Sequence, residues 1–273
     1  MVHRSAIWVY ERFTLEDVMK MHACLAMGLA GLVGGVAQAQ IATINGSGSV
    51  AGNGNSGFGG VIGPGSMAVT TLPDGTANMT LTRGTGGHFD FTAVYIDSVA
   101  GGIANTSALS DTGDPGRAGL SGTGFGGELS DLGFATGFEA DFGLTIDTGF
   151  SGIFDIVNDP NNFGFVAAVS TDGTRDPNDA TFNVSFNLSD IGLTAGDSFT
   201  FVASYLNSGN AFRSGEFIGS NDAGPFPADP NIGQNAYQLS DNSFVLVNTT
   251  PVPEPASLAL LGLAAPVMLR RRR

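Results

Sequence analysis

Cysteine, lysine and histidine are nearly absent from this sequence. Its one cysteine, Cys24, and its one lysine, Lys20, both precede residue 40. The chain beyond residue 40 therefore forms no intramolecular disulfide and depends on packing and hydrogen bonds for its stability. That part contains one histidine, His88, within the Gly-rich residues 86–89. A single histidine argues against a His-based catalytic triad or a His-ligated metal, and its neighbours predict a surface turn.

Positive charge is also scarce between residues 40 and 252. Four arginines (Arg83, Arg117, Arg175 and Arg213) stand against 21 acidic residues, which is a formal charge of −17. Such an acidic surface repels phosphate backbones, and this excludes nucleic acid as a partner. It favours solubility and attracts divalent cations.

The N-terminal region has the pattern of an export signal. A short basic segment at residues 19–22 precedes an apolar run at 23–36 and the small-x-small sequence Ala37-Gln38-Ala39. This pattern predicts a helical signal peptide over 19–39, cleaved by signal peptidase after Ala39. Residues 1–18 fit none of it, and we interpret them as a gene-model extension or a long n-region.

The C-terminal region, residues 251–273, has three parts. Two prolines fix the backbone of an extended spacer, and residues 256–269 then form an uncharged run that favours a helix. At about 1.5 Å per residue this run spans roughly 21 Å, short of the ~30 Å hydrocarbon core, as is typical of a targeting segment. The residues of the spacer and of the basic end are Pro253, Glu254, Pro255, Arg270, Arg271, Arg272 and Arg273.

This order of Pro-Glu-Pro, short apolar helix and Arg-rich end resembles the bacterial PEP-CTERM sorting signal. The resemblance covers about the last 20 residues and implies no activity for the rest of the chain. It implies recognition by a membrane enzyme of the exosortase type, with processing near Pro-Glu-Pro. It also implies transient anchoring through residues 256–269 and delivery to the outer surface or extracellular matrix. An ordinary C-terminal anchor is the alternative.

Between the two signals the pattern is that of short strands. Phe182, Val184 and Phe186 alternate with polar residues over 181–188, which predicts a strand with one wet face. No amphipathic helical window of twelve residues occurs. We predict an all-β domain over residues 66–250, an antiparallel β-sandwich or jelly roll. Residues 40–65, rich in Gly, Ser and Asn, predict a flexible lead-in or a first weak strand.

Several further segments carry specific expectations. Residues 89–97 predict a strand with Phe89, Phe91, Ala93 and Tyr95 on one face, and 163–169 a central strand because the run is more continuously apolar. Residues 73–75, Pro-Asp-Gly, predict a turn between two strands. The Gly-rich stretches 100–127 and 207–234 predict two long loops.

A calcium site is the first alternative for a bound group. The acidic stretch 172–179 offers oxygen ligands from Asp172, Asp176, Asn178 and Asp179. The spacing differs from that of an EF-hand loop, and Asx-rich turns without metal have the same composition. Apart from this calcium the sequence predicts no cofactor.

A sugar site is the second alternative. Tyr205, Asn207 and Asn210 lie at the end of a predicted strand, where an aromatic ring and amide groups suit a carbohydrate. A core position for Tyr205 is the competing interpretation.

Enzymatic activity is not predicted. A glycosidase needs two carboxylates that face each other, and with so many acidic residues no pair stands out. Glu139 and Asp141 would share one strand face, which a polar surface also explains. We predict a non-enzymatic structural or adhesive protein of the bacterial envelope or exopolysaccharide matrix. The alternative is a carbohydrate-binding β-sandwich module stabilised by calcium.

Overall fold

The structure is a computed structural model that describes residues 40–47, 58–220 and 231–249. The described residues belong to one compact unit, Gln38–Val252. The predictions for residues 1–18, 19–39 and 251–273 lie outside the described residues.

Strands dominate the described part of the chain. They are β1 (Gln40–Ser47), β2 (Ser66–Thr71), β3 (Thr76–Thr82), β4 (Phe91–Asp97), β5 (Leu132–Gly133), β6 (Phe142–Ile146), β7 (Gly152–Asp155), β8 (Gly164–Ala168), β9 (Thr181–Asn187), β10 (Ser198–Asn207), β11 (Phe212–Ile218), β12 (Asn231–Gly233), β13 (Tyr237–Gln238) and β14 (Val245–Asn248). The helices are α1 (Pro115–Ser121) and two 3₁₀ turns, Thr106–Ala108 and Leu188–Ile191. The all-β prediction is confirmed.

The large sheet is antiparallel throughout. Its strand order is β8-β7-β6-β4-β10-β11-β1-β2-β3-β9, with β12 also paired to β11 and β14 to β10. The two ends of this order meet, because Ser170 and Val184 form an antiparallel bridge just beyond β8. Ser185 N–H also donates to the Val169 carbonyl at 2.9 Å. The sheet therefore curls until its first and last strands touch. A parallel pair, β13 with β5, lies apart from it.

The inner core lies inside this curl. Strands β2, β3 and β9 alternate buried and partly exposed residues, which confirms the period of two predicted for β9. Their apolar side chains pack against those of β4, β6, β10 and β14. The buried residues include Met67, Val69, Met79, Leu81, Val94, Ile96, Phe182, Val184, Phe186, Phe199, Phe201 and Val247. The predicted turn at 73–75 joins β2 to β3, and Gly75 adopts φ +87° there.

The opposite face of β4 and β10 is covered as well, by an outer layer formed by residues 98–141 and 231–244. Side chains from these segments bury Ala93, Tyr95, Val202 and Leu206 in a second apolar cluster. The covering residues include Leu109, Leu120, Leu132, Phe134, Phe138, Ile232 and Leu239. Both faces of β4 and β10 are thus dry, whereas a two-layer fold would leave one face wet.

Residues 100–127, predicted as a loop, contain the helix of this outer layer. Asp114 caps α1 by accepting from the Arg117 N–H at 3.0 Å, and Pro115 occupies the first turn. Gly122 ends the helix at φ +65°. No helix in the described part is long and apolar enough to cross a membrane.

Residues 207–234, also predicted as a loop, contain a central strand. This prediction was wrong, because β11 pairs with β10, β1 and β12. Its sequence resembles a loop since it contains Arg213, Gly215 and Glu216, yet both charged side chains are buried.

Two predictions on apolar runs were also wrong. Strand β8 is an edge strand rather than a central one, and Phe165 is 54% exposed. Phe89 precedes β4 and is 69% exposed, although it shares the sequence register of Tyr95. Apolar character predicted burial in both cases, but the pairing of strands decides which residues are covered.

Candidate functional site

The candidate site lies where strand β4 begins beside the end of strand β10. These strands are antiparallel, with Leu206 opposite Phe91. The residue that follows Leu206 therefore lies next to the residue that precedes Phe91. Asn207 and Asp90 are brought together in this way. The Asn207 amide Nδ2 donates to the Asp90 Oδ1 at 2.6 Å. Asn207 is in turn held by the N–H groups of Gly209 and Asn210, both of which donate to its Oδ1.

Tyr205 contacts Asp90 of this pair from the buried side. Its phenol oxygen accepts from the Asp90 N–H at 3.1 Å, and its ring is 2% exposed. The ring packs against Phe58, with centroids 5.5 Å apart. Tyr205 is therefore a core residue, and a sugar site at this position stays a prediction.

An open cleft of about 400 Å³ adjoins Asp90. It is lined by Phe58, Gly59, Gly86, Gly87, Phe89, Asp90 and Tyr205. One wall is bare backbone, because Gly86 N–H donates to the Gly60 carbonyl at 2.8 Å and a Cβ on Gly86 would lie 2.3 Å from the Gly59 carbonyl oxygen. The other wall is aromatic. The volume falls in the range of small-ligand sites.

The backbone wall is held in place by Glu216 of β11, which is 6% exposed. One carboxylate oxygen accepts from the Gly60 N–H. The other accepts from the N–H groups of Val61, Ile62 and Gly63 at 3.1–3.2 Å. Gly59, at φ +116°, must remain glycine, since its Cβ would lie 2.6 Å from the Glu216 Oε1.

The electrostatic environment of the cleft is negative. Burial raises the pKa of Asp90, and the charge of Asp147 raises it further, while hydrogen bonds from Asn207 and Tyr205 oppose the shift. Burial likewise raises the pKa of Tyr205, with the Asp90 charge adding to the effect. The Tyr205 phenol is therefore neutral across the physiological range.

His88 lies behind the cleft, and its prediction as a surface turn residue was wrong. It is fully buried, stacks on Phe182 at 4.5 Å between centroids, and its Nε2 lies 2.9 Å from the Thr92 Oγ1. Burial lowers the pKa of His88 to about 4, and the charges of Arg175 and Arg83 contribute. The imidazole is neutral at pH 7 and closes one end of the inner core.

The acidic stretch 172–179 is held together by its own hydrogen bonds. Asp172 Oδ2 accepts from the Asn183 N–H at 2.7 Å, Asp176 Oδ1 from the Asn178 N–H at 2.7 Å, and Asp179 Oδ2 from the Asp176 N–H at 2.8 Å. The bond between Asp176 and the Asn178 N–H is an Asx turn, whereas Asn183 lies outside the stretch on β9. Within residues 40–47, 58–220 and 231–249, no group of three or more His, Cys, Asp or Glu side chains is placed to hold a metal ion.

Two arginines supply positive charge to this stretch. The Arg83 guanidinium donates to the carbonyls of Asn178 and Asp179, the latter at 2.8 Å. Arg175, 5% exposed, lies 3.9 Å from the Asp172 carboxylate and over the Phe182 ring. A calcium ion here stays a prediction, and these cations compete with it for the same oxygens.

The remaining candidates are dispersed. Asn210 is exposed, and its carbonyl accepts from Gln234 Nε2 at 2.8 Å beyond the cleft lining. Glu139 is exposed, whereas Asp141 is buried and accepts from the Ser98 and Val99 N–H groups. The cleavage residues Ala37 and Ala39 lie outside the described residues. So do the sorting residues Pro253, Glu254, Pro255, Arg270, Arg271, Arg272 and Arg273.

Sequence reasoning missed Asp90, Phe89 as an exposed ring, and the wall formed by Phe58 and Gly59. Asp90 could have been found from the pairing of β4 with β10. That pairing places Asp90 beside Asn207, which was a predicted site residue. No local signal marks Phe58 and Gly59, which lie at the cleft through long-range contacts of their segment with Tyr205, Gly86 and Glu216. Comparisons with protein-family models, curated proteins and solved structures found no match to this chain.

Proposed function

We propose that the body of this protein is a carbohydrate-binding module, and that the chain is an exported, adhesive, non-enzymatic protein of the bacterial surface or exopolysaccharide matrix. The observation that carries the binding proposal is the cleft beside Asp90. There, aromatic rings and the Asp90 carboxylate line one concave site of about 400 Å³, and Asn207 donates to that carboxylate. Ligand sites combine apolar walls with a few convergent polar groups in this way.

The chemistry of the cleft suits a sugar ring. A sugar presents apolar C–H groups on its faces and hydroxyl groups along its edge. The exposed Phe89 ring offers a flat apolar surface for one face. Asp90 offers acceptor positions, and Asn207 has two amide N–H groups, one of which donates to Asp90. A purely structural matrix protein needs no such site.

A β-sandwich is the fold we propose for this module. In support, the inner core takes side chains from β2, β3 and β9 on one side and from β4, β6 and β10 on the other. Two sheets packed in this way share one core. The outer layer is then an addition to the second sheet.

A binding role is favoured over hydrolysis by the state of Glu216, a second carboxylate next to the cleft wall. Hydrolysis of a glycosidic bond uses two available carboxyl groups. Asp90 lines the cleft, whereas both oxygens of Glu216 accept from the backbone of residues 60–63. Glu216 supports the wall instead of facing a ligand.

Export and surface sorting rest on the two terminal signals. Signal peptidase would cleave after Ala39, and a sorting enzyme of the exosortase type would process the chain near Pro253–Pro255 after anchoring through residues 256–269. A net charge of −17 between the signals suits a soluble extracellular module.

Binding is tested with the full-length chain on a glycan array and in polysaccharide pull-downs. We expect at least one glycan to bind, and Phe89→Ala to weaken it about tenfold or more, a change of roughly 1.4 kcal/mol. Phe165→Ala is the matched control, since Phe165 is also exposed but lies on β8. Absence of binding to every glycan, or equal losses in both variants, would contradict the proposal.

Sorting is tested separately, in a bacterium that encodes an exosortase. We expect the wild-type chain at the surface or in the medium, and the Pro253→Ala/Pro255→Ala variant retained in the membrane. Pro73→Ala, in the β2–β3 turn, is the control for a proline change without effect on sorting. A soluble cytosolic chain with both ends intact would exclude export.

A further inference from the structure

The charge of the cleft carries a more specific inference about its ligand. Asp90 is the one ionisable carboxylate among the residues that line it. Its partner Asn207 is neutral, and the ion pairs of the described part of the chain all involve Arg117 or Arg175 with other acids. Asp90 therefore presents a negative charge that no cation of the described part neutralises by direct contact.

Two further carboxylates, Asp147 and Glu216, add to the negative potential around the cleft. The charge of Asp147 disfavours ionisation of Asp90, and the charges of both Asp90 and Glu216 act on the Tyr205 phenol. Removal of a carboxylate from water without a counter-charge is costly, and a cation close to it offsets that cost. A ligand with a positive group would supply the missing partner.

Arg83, which contacts the backbone of the lining residue Gly86, does not fill this role. Arg83 donates to the carbonyls of Gly84 and Gly86, at 3.0 and 3.1 Å, and to those of Asn178 and Asp179. Its donors are thus used by the backbone behind the cleft wall. An anionic sugar such as a uronate would meet Asp90 without a cation available to bind its carboxylate.

We infer that the cleft binds a sugar that bears a protonated amine, and that Asp90 is the residue that selects it. This inference rests on the proposed carbohydrate binding. The ligand ammonium would lie against the Asp90 carboxylate, and the sugar ring would lie against Phe89. Neutral sugars of the same shape bind more weakly, and uronates bind least.

The test compares three trisaccharides by calorimetry with the full-length chain: glucosamine, N-acetylglucosamine and galacturonate. At about pH 6 the amine is charged, since a comparable α-amino group has a pKa of ~7.7. We expect the amino sugar to bind about tenfold or more tightly than its acetylated form. Equal affinity for the two, or a preference for the acetylated or uronate sugar, overturns the inference.

Variants separate the effect of the Asp90 carboxylate from the effect of the net charge of the protein. Asp90→Asn should remove the preference, and Asp90→Glu should restore part of it. Asp241→Asn removes one negative charge in the same way at an exposed site and should leave the preference intact. Loss of the preference in Asp241→Asn would show that overall charge, and not Asp90, selects the ligand. The wild-type comparison decides on its own if Asp90→Asn does not fold.

The outcomes also separate a failure of this inference from a failure of the proposed carbohydrate binding. If neutral and cationic sugars bind equally, carbohydrate binding stands and the selection by Asp90 fails. If none of the three sugars binds and the glycan array is negative, both fail.

Discussion

The inner core and the outer layer of this protein share strands β4, β10 and β11 but are built from different kinds of sequence. The inner core takes alternating apolar residues from regular strands, and His88 is a buried polar group at its end. The outer layer is made of turns, one short helix and short strands over residues 98–141 and 231–244. Regular strands satisfy their own backbone groups, whereas irregular segments need other partners.

Strand β11 supplies such partners to both layers. It carries one buried charged side chain for the inner core and one for the outer layer. Glu216 binds the N–H groups of residues 60–63 next to the inner core. Arg213, fully buried, donates to the Ser130 hydroxyl and carbonyl at 3.1 and 3.0 Å, and to the Ser204 hydroxyl. Buried charges thus hold irregular backbone on each face, in addition to the apolar packing of the outer layer.

The largest effect should come from Glu216→Ala, which tests whether one carboxylate holds the wall of the cleft. Four buried N–H groups lose their acceptor, so we expect a loss of about 4 kcal/mol or more in the free energy of unfolding. Glu139→Ala, at an exposed site, is the control and should change stability by less than about 0.5 kcal/mol. Urea denaturation of both variants measures the difference. Similar stability in the two would show that the wall does not depend on Glu216.

The second effect concerns His88 and the inner core. Its folded pKa of about 4 lies below the ordinary 6.5, so the unfolded chain takes up the proton first as the pH falls. Stability associated with neutral His88 is present above pH 6.5 and is lost toward pH 4, by about 3 kcal/mol in total.

His88→Gln removes this titration. Unfolding free energies measured from pH 7 to 4 should therefore fall more steeply in the wild type than in His88→Gln. Parallel curves for the two proteins would mean that His88 is not buried in its neutral form.

A smaller effect is expected from Arg213→Met in the outer layer. Methionine retains much of the volume but leaves the Ser130 and Ser204 oxygens without their donor, which should cost about 1–3 kcal/mol. Arg117→Met, at a partly exposed ion pair, is the comparison and should cost no more than about 1 kcal/mol. The midpoints of denaturant unfolding measure the difference. If Arg213→Met leaves the stability unchanged, packing alone holds the outer layer.

The smallest effect is expected from calcium at residues 172–179. Arg83 and Arg175 already interact with the oxygens of this stretch, so we expect the same melting temperature in calcium and in chelator. Differential scanning calorimetry measures it. A shift of several degrees in calcium would establish the metal site that the acidic composition suggests.

Part of the fold and of the site was predictable from residues close together in the chain. The alternation at Phe182, Val184 and Phe186 predicted β9, and the Pro-Asp-Gly turn predicted the β2–β3 hairpin. Tyr205 and Asn207 were recognised because an aromatic and an amide lie at the end of a strand. The apolar runs at Phe89 and in β8 misled, since apolar residues are also found at exposed edges.

The other half of the site depends on contacts between distant residues. Asp90 becomes a partner of Asn207 only when β4 pairs with β10. Phe58 and Gly59 become a wall through contacts with Tyr205 and Gly86 and through Glu216, more than 150 residues away, which binds the adjacent backbone. No local pattern encodes either contact.

The sequence alone determined that the body is an all-β chain without disulfides, because period-two alternation and the positions of turn residues are local properties. Only the tertiary structure decided that a Gly-rich, charged segment is the central strand β11, and that β4 and β10 are dry on both faces. The physical reason is that alternation specifies which side chains need cover but not what covers them. That choice was made by long-range strand pairing and by two buried charges whose partners lie far away in the chain.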